Sequence, residues 1–366
     1  MACYNPKHAM MSGYGGRIVI YPIYEHREPV FNQETGEYCE EFTVKCGKCI
    51  GCLMDRSREW ACRITMESLS FKDNYFLTLT YDDEHCPRGA DPFIWSDIKE
   101  RYILRDGAYW VMDKEKVYYR EDGTVYYGGD YHGEFENIGI LSIDDYKNFM
   151  KRLRINLKRH YGFDEQLRMY GCGEYGSKSW RPHYHFCLMN LPLDDLYVVC
   201  KNKLGMPLYS SSFIEETWGN GMVALAPLTW QNAAYTARYV QKKADISPMI
   251  YEKIGIPKEF QTMSRRPGLG RYWFDEHCNE IYETDQVVLP AMSKDKPSTF
   301  RPPKYFDALM KERDPYRMAE IKSQRAEVAR IMEQNRSTET DLDVLQYFEV
   351  AKAAASSRFA RLSRYL

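Results

Sequence analysis

Apolar residues along the chain follow two rhythms, a strict alternation and a repeat of three and four, and the first of these marks strands. NYFLTLTY (74–81) is dense in aromatic and β-branched residues and stops at an Asp pair, which predicts a strand. The same reasoning predicts strands in RIVIYPIY (17–24), EEFTVKC (40–46), QLRMYGCGEYG (166–176), HYHFCLMNL (183–191) and GMVALAPL (221–228). VYYREDGTVYY (117–127) reads as a hairpin, because Asp122 and Gly123 suit a tight turn with positive φ. The second rhythm is clearest in 145–162, where Tyr146, Phe149, Met150, Leu153 and Leu157 recur on one helical face. Ser142 and Asp145 precede that run in the manner of a capping box, and Gly162 supplies a C-terminal stop. A second helix is predicted over 53–69 with Leu53, Trp60, Ile64 and Leu69 facing inward, and a third from a Thr229 cap to about Ala244. The last fifty or so residues, rich in Ala, Arg and Glu, read as exposed helix.

These elements predict an α+β fold: a central antiparallel β-sheet flanked by helices, with a cysteine-rich N-terminal segment and a helical C-terminal tail. The expected organisation is a cysteine-rich segment at 1–70, a main domain at 71–275 carrying an insertion at 82–145, and a helical extension at 276–366. A chain of 366 residues with 44% hydrophobic content can bury a sizeable core. No apolar run approaches the roughly 18–20 residues of a bilayer span, and MACYNPKHAMM lacks a secretory pattern, so a cytoplasmic protein with no membrane partner is expected.

Charge is uneven. The formal total is −2, yet residues 82–145 hold 16 acids against 7 bases, which leaves +7 for the remainder. Residues 147–159 contain six bases and no acid, among them Lys151, Arg152, Arg154, Lys158 and Arg159. An acidic segment thus masks a basic body, and a phosphate-bearing partner stays open. The basic run is either a solvated helix face or a DNA track.

The sharpest chemical signal is RPHYHF (181–186). Residues two apart in a strand share a face, so His183 and His185 project together while Tyr184 and Phe186 point to the other side. Two neutral imidazoles at that spacing can hold a divalent cation; alternatively they are two surface histidines. Glu174 ends the preceding strand, and pairing of the two strands would bring its carboxylate to the same face. Two His and one acid, with positions left open, suit Mg²⁺ or Mn²⁺ acting on a phosphodiester. In YTARYVQKK (235–243), Tyr235 and Tyr239 stand one helical turn apart, and Lys242 follows three residues later. They are either sheet-packing tyrosines with solvated lysines or two phenols able to attack phosphate in succession. A phenol with a pKa of about 10 is a weak nucleophile until a cation polarises its target.

FLTLTY (76–81), RPHYHF (181–186) and YTARYVQKK (235–243) resemble, in order and character, the three motifs of the HUH endonucleases, the rolling-circle replication initiators. With the cysteine run, MSRRPGLGRYW (263–273) and the chain length, the sequence is similar to the initiators of gokushoviruses within the Microviridae, from the N-terminus to about residue 275. The resemblance implies that His183 and His185 bind the metal, that Tyr235 and Tyr239 are alternating nucleophiles, and that Lys242 matches the lysine of the third motif. It implies single-stranded DNA at a replication origin as substrate. A host helicase and DNA polymerase become implied partners, since the chain has no Walker-type phosphate loop.

Cys46, Cys49 and Cys52 have the two-residue spacing of thiolates that share Zn²⁺. Cys62 lies about 15 Å along the predicted helix, too far to close the site. The fourth ligand would come from Cys3, Cys39 or His8, of which Cys3 is preferred; three buried thiols without metal are the alternative. Arg56, Arg58 and Arg63 follow as bases facing phosphate or solvent, and Arg265 and Arg266 sit in a glycine-rich loop suited to phosphate contact. Together with Arg181 they are the candidate DNA contacts. Two other functions compete with the nuclease reading: a zinc-stabilised nucleic-acid-binding protein without chemistry, and a histidine-based hydrolase of small phosphoesters.

Overall fold

A computed structural model describes residues 3–11, 18–32, 36–39, 41–90, 93–96, 101–104, 109–119, 125–132, 137–176, 181–202, 205–242, 251, 256–289 and 298–362. The N-terminal part forms β1 (Lys7–Met11), β2 (Ile18–Pro22) and β3 (Phe42–Val44), then α1 (Ile50–Leu69). Next come β4 (Asn74–Thr80), α2 (Ile143–Tyr161), β5 (Arg168–Tyr175) and β6 (Pro182–Met189). The strands β7 (Leu196–Lys201) and β8 (Pro207–Ser211) lead into α3 (Ser212–Trp218) and β9 (Val223–Pro227). After α4 (Trp230–Lys242) and β10 (Phe260–Met263) the chain is mainly helical, in α5 (Arg271–Thr284), α6 (Lys304–Arg313), α7 (Pro315–Glu339) and α8 (Val344–Leu362).

These elements fall into two compact units, one of residues 72–228 and 242–264, the other of residues 1–71, 229–241 and 265–366. The first is built on a seven-stranded antiparallel sheet of order β7-β8-β9-β4-β6-β5-β10, the central antiparallel sheet expected from the pattern. Helix α2 packs on one face. Its buried residues are Tyr146, Phe149, Met150, Leu153 and Leu157, the apolar stripe of the sequence. Ser142 caps it, its hydroxyl accepting the Asp145 N–H at 3.1 Å, and Gly162 ends it with φ 63°.

Tyrosine hydroxyls tie this helix to the sheet. Tyr184 donates to the Ser142 carbonyl at 2.7 Å and accepts the Ser142 N–H at 3.0 Å. Tyr81 donates to Asp145 at 2.7 Å, and Tyr175 accepts the Leu141 N–H at 3.1 Å. A buried phenol is stable there because its polar end is satisfied while the ring fills the core. Close approach explains Gly171: a Cβ would stand 2.5 Å from the Tyr146 hydroxyl and 2.7 Å from the Phe186 ring.

In the insertion, Tyr109–Tyr119 pairs antiparallel with Val125–His132, which realises the hairpin; its Asp122-Gly123 turn lies outside the described residues. Phe93–Ser96 pairs with Arg101–Leu104, and Arg88–Ala90 with Asn137–Gly139.

The other unit contains the three-stranded sheet β2-β1-β3 and a helical core in which Met66, Phe274, Ile281, Phe306 and Met310 cluster. Helix α1 starts at Ile50, three residues before the predicted Leu53, and is buried all round from Ala61 to Glu67. Leu69 lies beyond that stretch and is 49% exposed, not inward as expected. Arg63 is also corrected, because it is a core residue and not a solvent-facing base. Its Nε donates to the Leu269 carbonyl at 3.0 Å, and its guanidinium stacks 4.3 Å from the rings of both Trp60 and Tyr305. One turn on, Glu67 accepts the Gly270 N–H, so α1 grips the glycine-rich loop at two points. Helix α4 has a reciprocal cap, with the Thr229 N–H donating to Asn232 Oδ1 at 2.9 Å and the Asn232 N–H to Thr229 Oγ1 at 3.4 Å. The C-terminal tail is helical but not wholly exposed: Met318 and Ile321 are buried, and Arg325 is clamped between Asp285 and Asp307. Among the described residues, no helix is long and apolar enough to cross a membrane.

Candidate metal-binding active site

Register assembles the site. Strands β5 and β6 pair with Glu174 opposite His183 and Cys172 opposite His185, while on the other side of β6 His183 faces Thr80 and His185 faces Thr78. Directly opposed residues share a face, so a carboxylate, two imidazoles and two hydroxyls stand on one patch of sheet. Tyr184 and Phe186 alternate to the other face, fully buried, and Phe186 stacks on Tyr146 at 4.7 Å.

Glu174 Oε1 lies 2.5 Å from His183 Nε2 and 2.9 Å from His185 Nε2. His183 Nδ1 lies 3.1 Å from the Arg181 carbonyl, which only accepts, so this nitrogen carries the hydrogen and a neutral ring turns a lone pair toward Glu174. Thr78 Oγ1, 2.9 Å from His185 Nδ1, orients the second ring, and Phe76 stacks on it at 5.2 Å. Such outer partners fix the tautomer and direction of metal-binding imidazoles. Burial pushes the His185 imidazole below its ordinary pKa although Glu174 pulls it up, which favours the neutral ligand form. Glu174 is 1% exposed, and its Oε2 has no hydrogen-bond partner among the described residues. An orphaned carboxylate oxygen in a buried site is costly, and a divalent cation between the three side chains is the group that fits it. One ligand atom from each of these residues lies within 4.8 Å of the others.

In the other unit, Cys3, Cys46, Cys49 and Cys52 form a second set. Their sulfurs are 3.6 Å apart for Cys49–Cys52, 3.8 Å for Cys3–Cys49 and 3.9 Å for Cys46–Cys52. A tetrahedron with Zn–S bonds of about 2.3 Å has edges of about 3.8 Å. A disulfide would need about 2.05 Å, and all four are free thiols. Backbone N–H groups of Lys48 and Cys49 donate to Cys46, that of Tyr4 to Cys49 and that of Cys46 to Cys3. These donors stabilise sulfur carrying negative charge. Although burial alone would raise it, hydrogen bonds from the backbone and neighbouring thiols bring Cys49 down to about 7, while burial drives Cys52 up. Four adjacent thiols cannot all ionise without a cation. Cys3, reached in the sequence by preference over Cys39 and His8, is the fourth member.

Tyr235 and Tyr239 lie on α4, in the unit that holds the thiols. Tyr235 is half-buried; the side chains of Tyr239 and Lys242 lie outside the described residues. Arg181 donates through Nε and Nη2 to the Tyr81 carbonyl, at 3.1 and 2.6 Å, and pairs with Asp83 at 2.7 Å. It anchors the start of β6 beside His183. Arg265 and Arg266 are exposed. Thr78 was invisible as a site residue in the sequence, where it is one β-branched position of FLTLTY; the signal lay in the pairing of that strand with HYH.

The family model of the replication-associated protein ORF2 matches residues 134–244, which span Glu174, both histidines and both tyrosines. The replication-associated protein ORF2 of Spiroplasma virus 4 is 30% identical over 334 residues, covering 90% of this chain and 87% of that protein. The replication-associated protein VP4 of Bdellovibrio phage phiMH2K is 28% identical over 68% of this chain and 63% of its own length. The replication-associated protein ORF4 of Chlamydia phage 1 is 27% identical over 71% of this chain and 53% of its own length. No solved structure matches the chain. Since the similarity to the Spiroplasma virus protein runs nearly end to end, and the resemblance to gokushovirus initiators points the same way, the chain belongs to the family of viral replication-associated proteins.

Proposed function

We propose that this protein is a site-specific endonuclease and strand transferase for single-stranded DNA, which starts and ends rolling-circle replication of a phage genome. The observation that carries this reading is the convergence of Glu174, His183 and His185 around a buried carboxylate oxygen without a partner. Bound there, Mg²⁺ or Mn²⁺ would supply positive charge to a scissile phosphate.

The remaining chemistry belongs to the chain. One phenolic oxygen, of Tyr235 or Tyr239, attacks phosphorus at the origin and loses its proton to solvent. The bond from phosphorus to the 3′ oxygen breaks, that oxygen gains a proton, and the DNA 5′ end is left as a phosphotyrosine. The 3′ hydroxyl then primes synthesis. When the origin is regenerated, the other tyrosine cuts it, and the newly released 3′ hydroxyl attacks the first phosphotyrosine, which frees that phenol and closes the circle. One phosphoester forms for each one broken, so joining requires no nucleotide. Lys242 stabilises the developing charge. Arg265 and Arg266 meet the DNA backbone, with Arg181 holding the strand that carries His183. The four cysteines hold one structural Zn²⁺. Unwinding and synthesis fall to a host helicase and polymerase in the bacterial cytoplasm.

The test is incubation with single-stranded origin DNA and Mn²⁺, followed by denaturing electrophoresis. A covalent protein–DNA adduct is expected, and Tyr235→Phe with Tyr239→Phe should abolish it while DNA binding persists. An adduct formed by the double variant would overturn the nucleophile assignment. Binding without any adduct from the unaltered protein would favour the non-catalytic reading.

A further inference from the structure

The chain holds a third convergence of metal-binding side chains, which no motif in the sequence announces. His8 lies on β1, directly opposite Tyr21 of β2, while His26 follows β2 and Glu41 precedes β3. Glu41 Oε1 is 3.0 Å from His8 Nδ1 and 2.9 Å from His26 Nδ1. The Glu25 carbonyl is 2.9 Å from the same His8 nitrogen, and the two rings are 4.8 Å apart. The other carboxylate oxygen, Oε2, accepts the Tyr21 hydroxyl at 2.6 Å.

Hydrogen counting makes the arrangement informative. Three short nitrogen–oxygen contacts meet here, yet two neutral rings own at most two Nδ1 hydrogens, and neither oxygen has any. A cation resolves the conflict by turning both Nδ1 atoms, Glu41 Oε1 and the Glu25 carbonyl into ligands. Tyr21 then plays the outer partner that directs the carboxylate. His8 is 8% exposed whereas the His26 side chain is 75% exposed, so the cluster has a buried floor and a side open to water. Two imidazoles and a carboxylate with room for solvent suit a borderline transition dication.

We propose that His8, His26 and Glu41 form a second metal site in the N-terminal sheet, one that takes Zn²⁺ or a similar transition ion. Such an ion would tie β1 to the segments after β2 and before β3. The site is independent of the nuclease reading, and its nitrogen and oxygen donors separate it from the thiol set.

Cobalt titration of the full-length protein tests it, since Co²⁺ bound to thiolates gives charge-transfer bands that Co²⁺ bound to nitrogen and oxygen does not. Zinc is first loaded into the cysteine set, and the protein carries Glu174→Gln so that the sheet site is disabled. One further Co²⁺ per chain is expected, without thiolate bands. Adding Glu41→Gln or His26→Gln should weaken it by more than the roughly 10–100-fold that loss of an outer partner costs. Tyr21→Phe should fall within that range. Because His26 is largely exposed, His26→Gln keeps the fold even where Glu41→Gln disturbs it, and circular dichroism checks this. Unchanged cobalt binding in His26→Gln, or no non-thiolate cobalt in the parent, would overturn the proposal.

Discussion

The Glu174–His183–His185 site and the Cys3–Cys46–Cys49–Cys52 site are assembled by opposite means. The first stands on adjacent strands of a seven-stranded sheet, where register fixes every donor. Its ligands are few and one carboxylate oxygen is left over. The second draws on the chain start, a loop and the first turn of α1, none of which is held in a sheet ladder. Its four sulfurs complete a tetrahedron and take N–H donors from their own loop. A rigid frame with an incomplete ligand set leaves coordination positions for a substrate. A flexible frame with a complete set gains its order from the ion. On this comparison, breaking the cysteine site should cost stability, and breaking the sheet site should cost reaction.

The largest effect is expected from Cys49→Ser. Structural zinc contributes on the order of 10–16 kcal/mol of apparent folding free energy in zinc-finger peptides, so loss of one thiolate should unfold the N-terminal segment. Zinc content should fall by one ion per chain, and residues 3–52 should become protease-sensitive. Unchanged stoichiometry would reject the thiolate site.

Glu174→Gln should do the reverse. Adduct formation with Mn²⁺ should drop by about 10²–10³-fold, the scale of losing one group that stabilises transition-state charge. In metal-free protein the melting temperature should hold or rise, because the substitution removes a buried charge with an unsatisfied oxygen. A clear loss of stability would show that the carboxylate is structural.

Thr78→Val sharpens the same contrast on a smaller scale. Removing the hydroxyl 2.9 Å from His185 Nδ1 should weaken Mn²⁺ binding by about 10–100-fold, or about 1.4–2.7 kcal/mol, with zinc content unaltered. Thr78 also shows why part of the site could be read from sequence and part could not. His183, His185 and Glu174 were legible because strand alternation and a short connection between two strands constrain them locally. Helix α2 was legible for the same reason, cap, stripe and stop all lying within 142–162. Thr78 is 107 residues from His185, and only the pairing of β4 with β6 joins them. Arg63 fails as a surface base because its partners, Leu269 and Tyr305, lie more than 200 residues away. Charge in a sequence reads as solvent exposure until the distant acceptor is known. Cys3 was reachable only because helix geometry removed Cys62.

The smallest effect concerns the frame itself. Ser142→Ala removes the hydroxyl that accepts the Asp145 N–H, and a lost N-cap costs about 1 kcal/mol. In a domain of 150–250 residues that corresponds to a melting shift of roughly 2–4 °C. Here the shift should fall at the low end, since Tyr184 holds both the N–H and the carbonyl of Ser142 and fixes the helix start without the cap. The rate of adduct formation should be unchanged, because Tyr184 and the histidines occupy opposite faces of β6 and its ladder to β5 stays intact. Differential scanning calorimetry alongside single-turnover cleavage reads both quantities. If a cap 32 residues before Glu174 slowed cleavage while melting moved little, α2 would be tuning the metal face rather than supporting it, and the division between a rigid frame and its reactive edge would have to be redrawn.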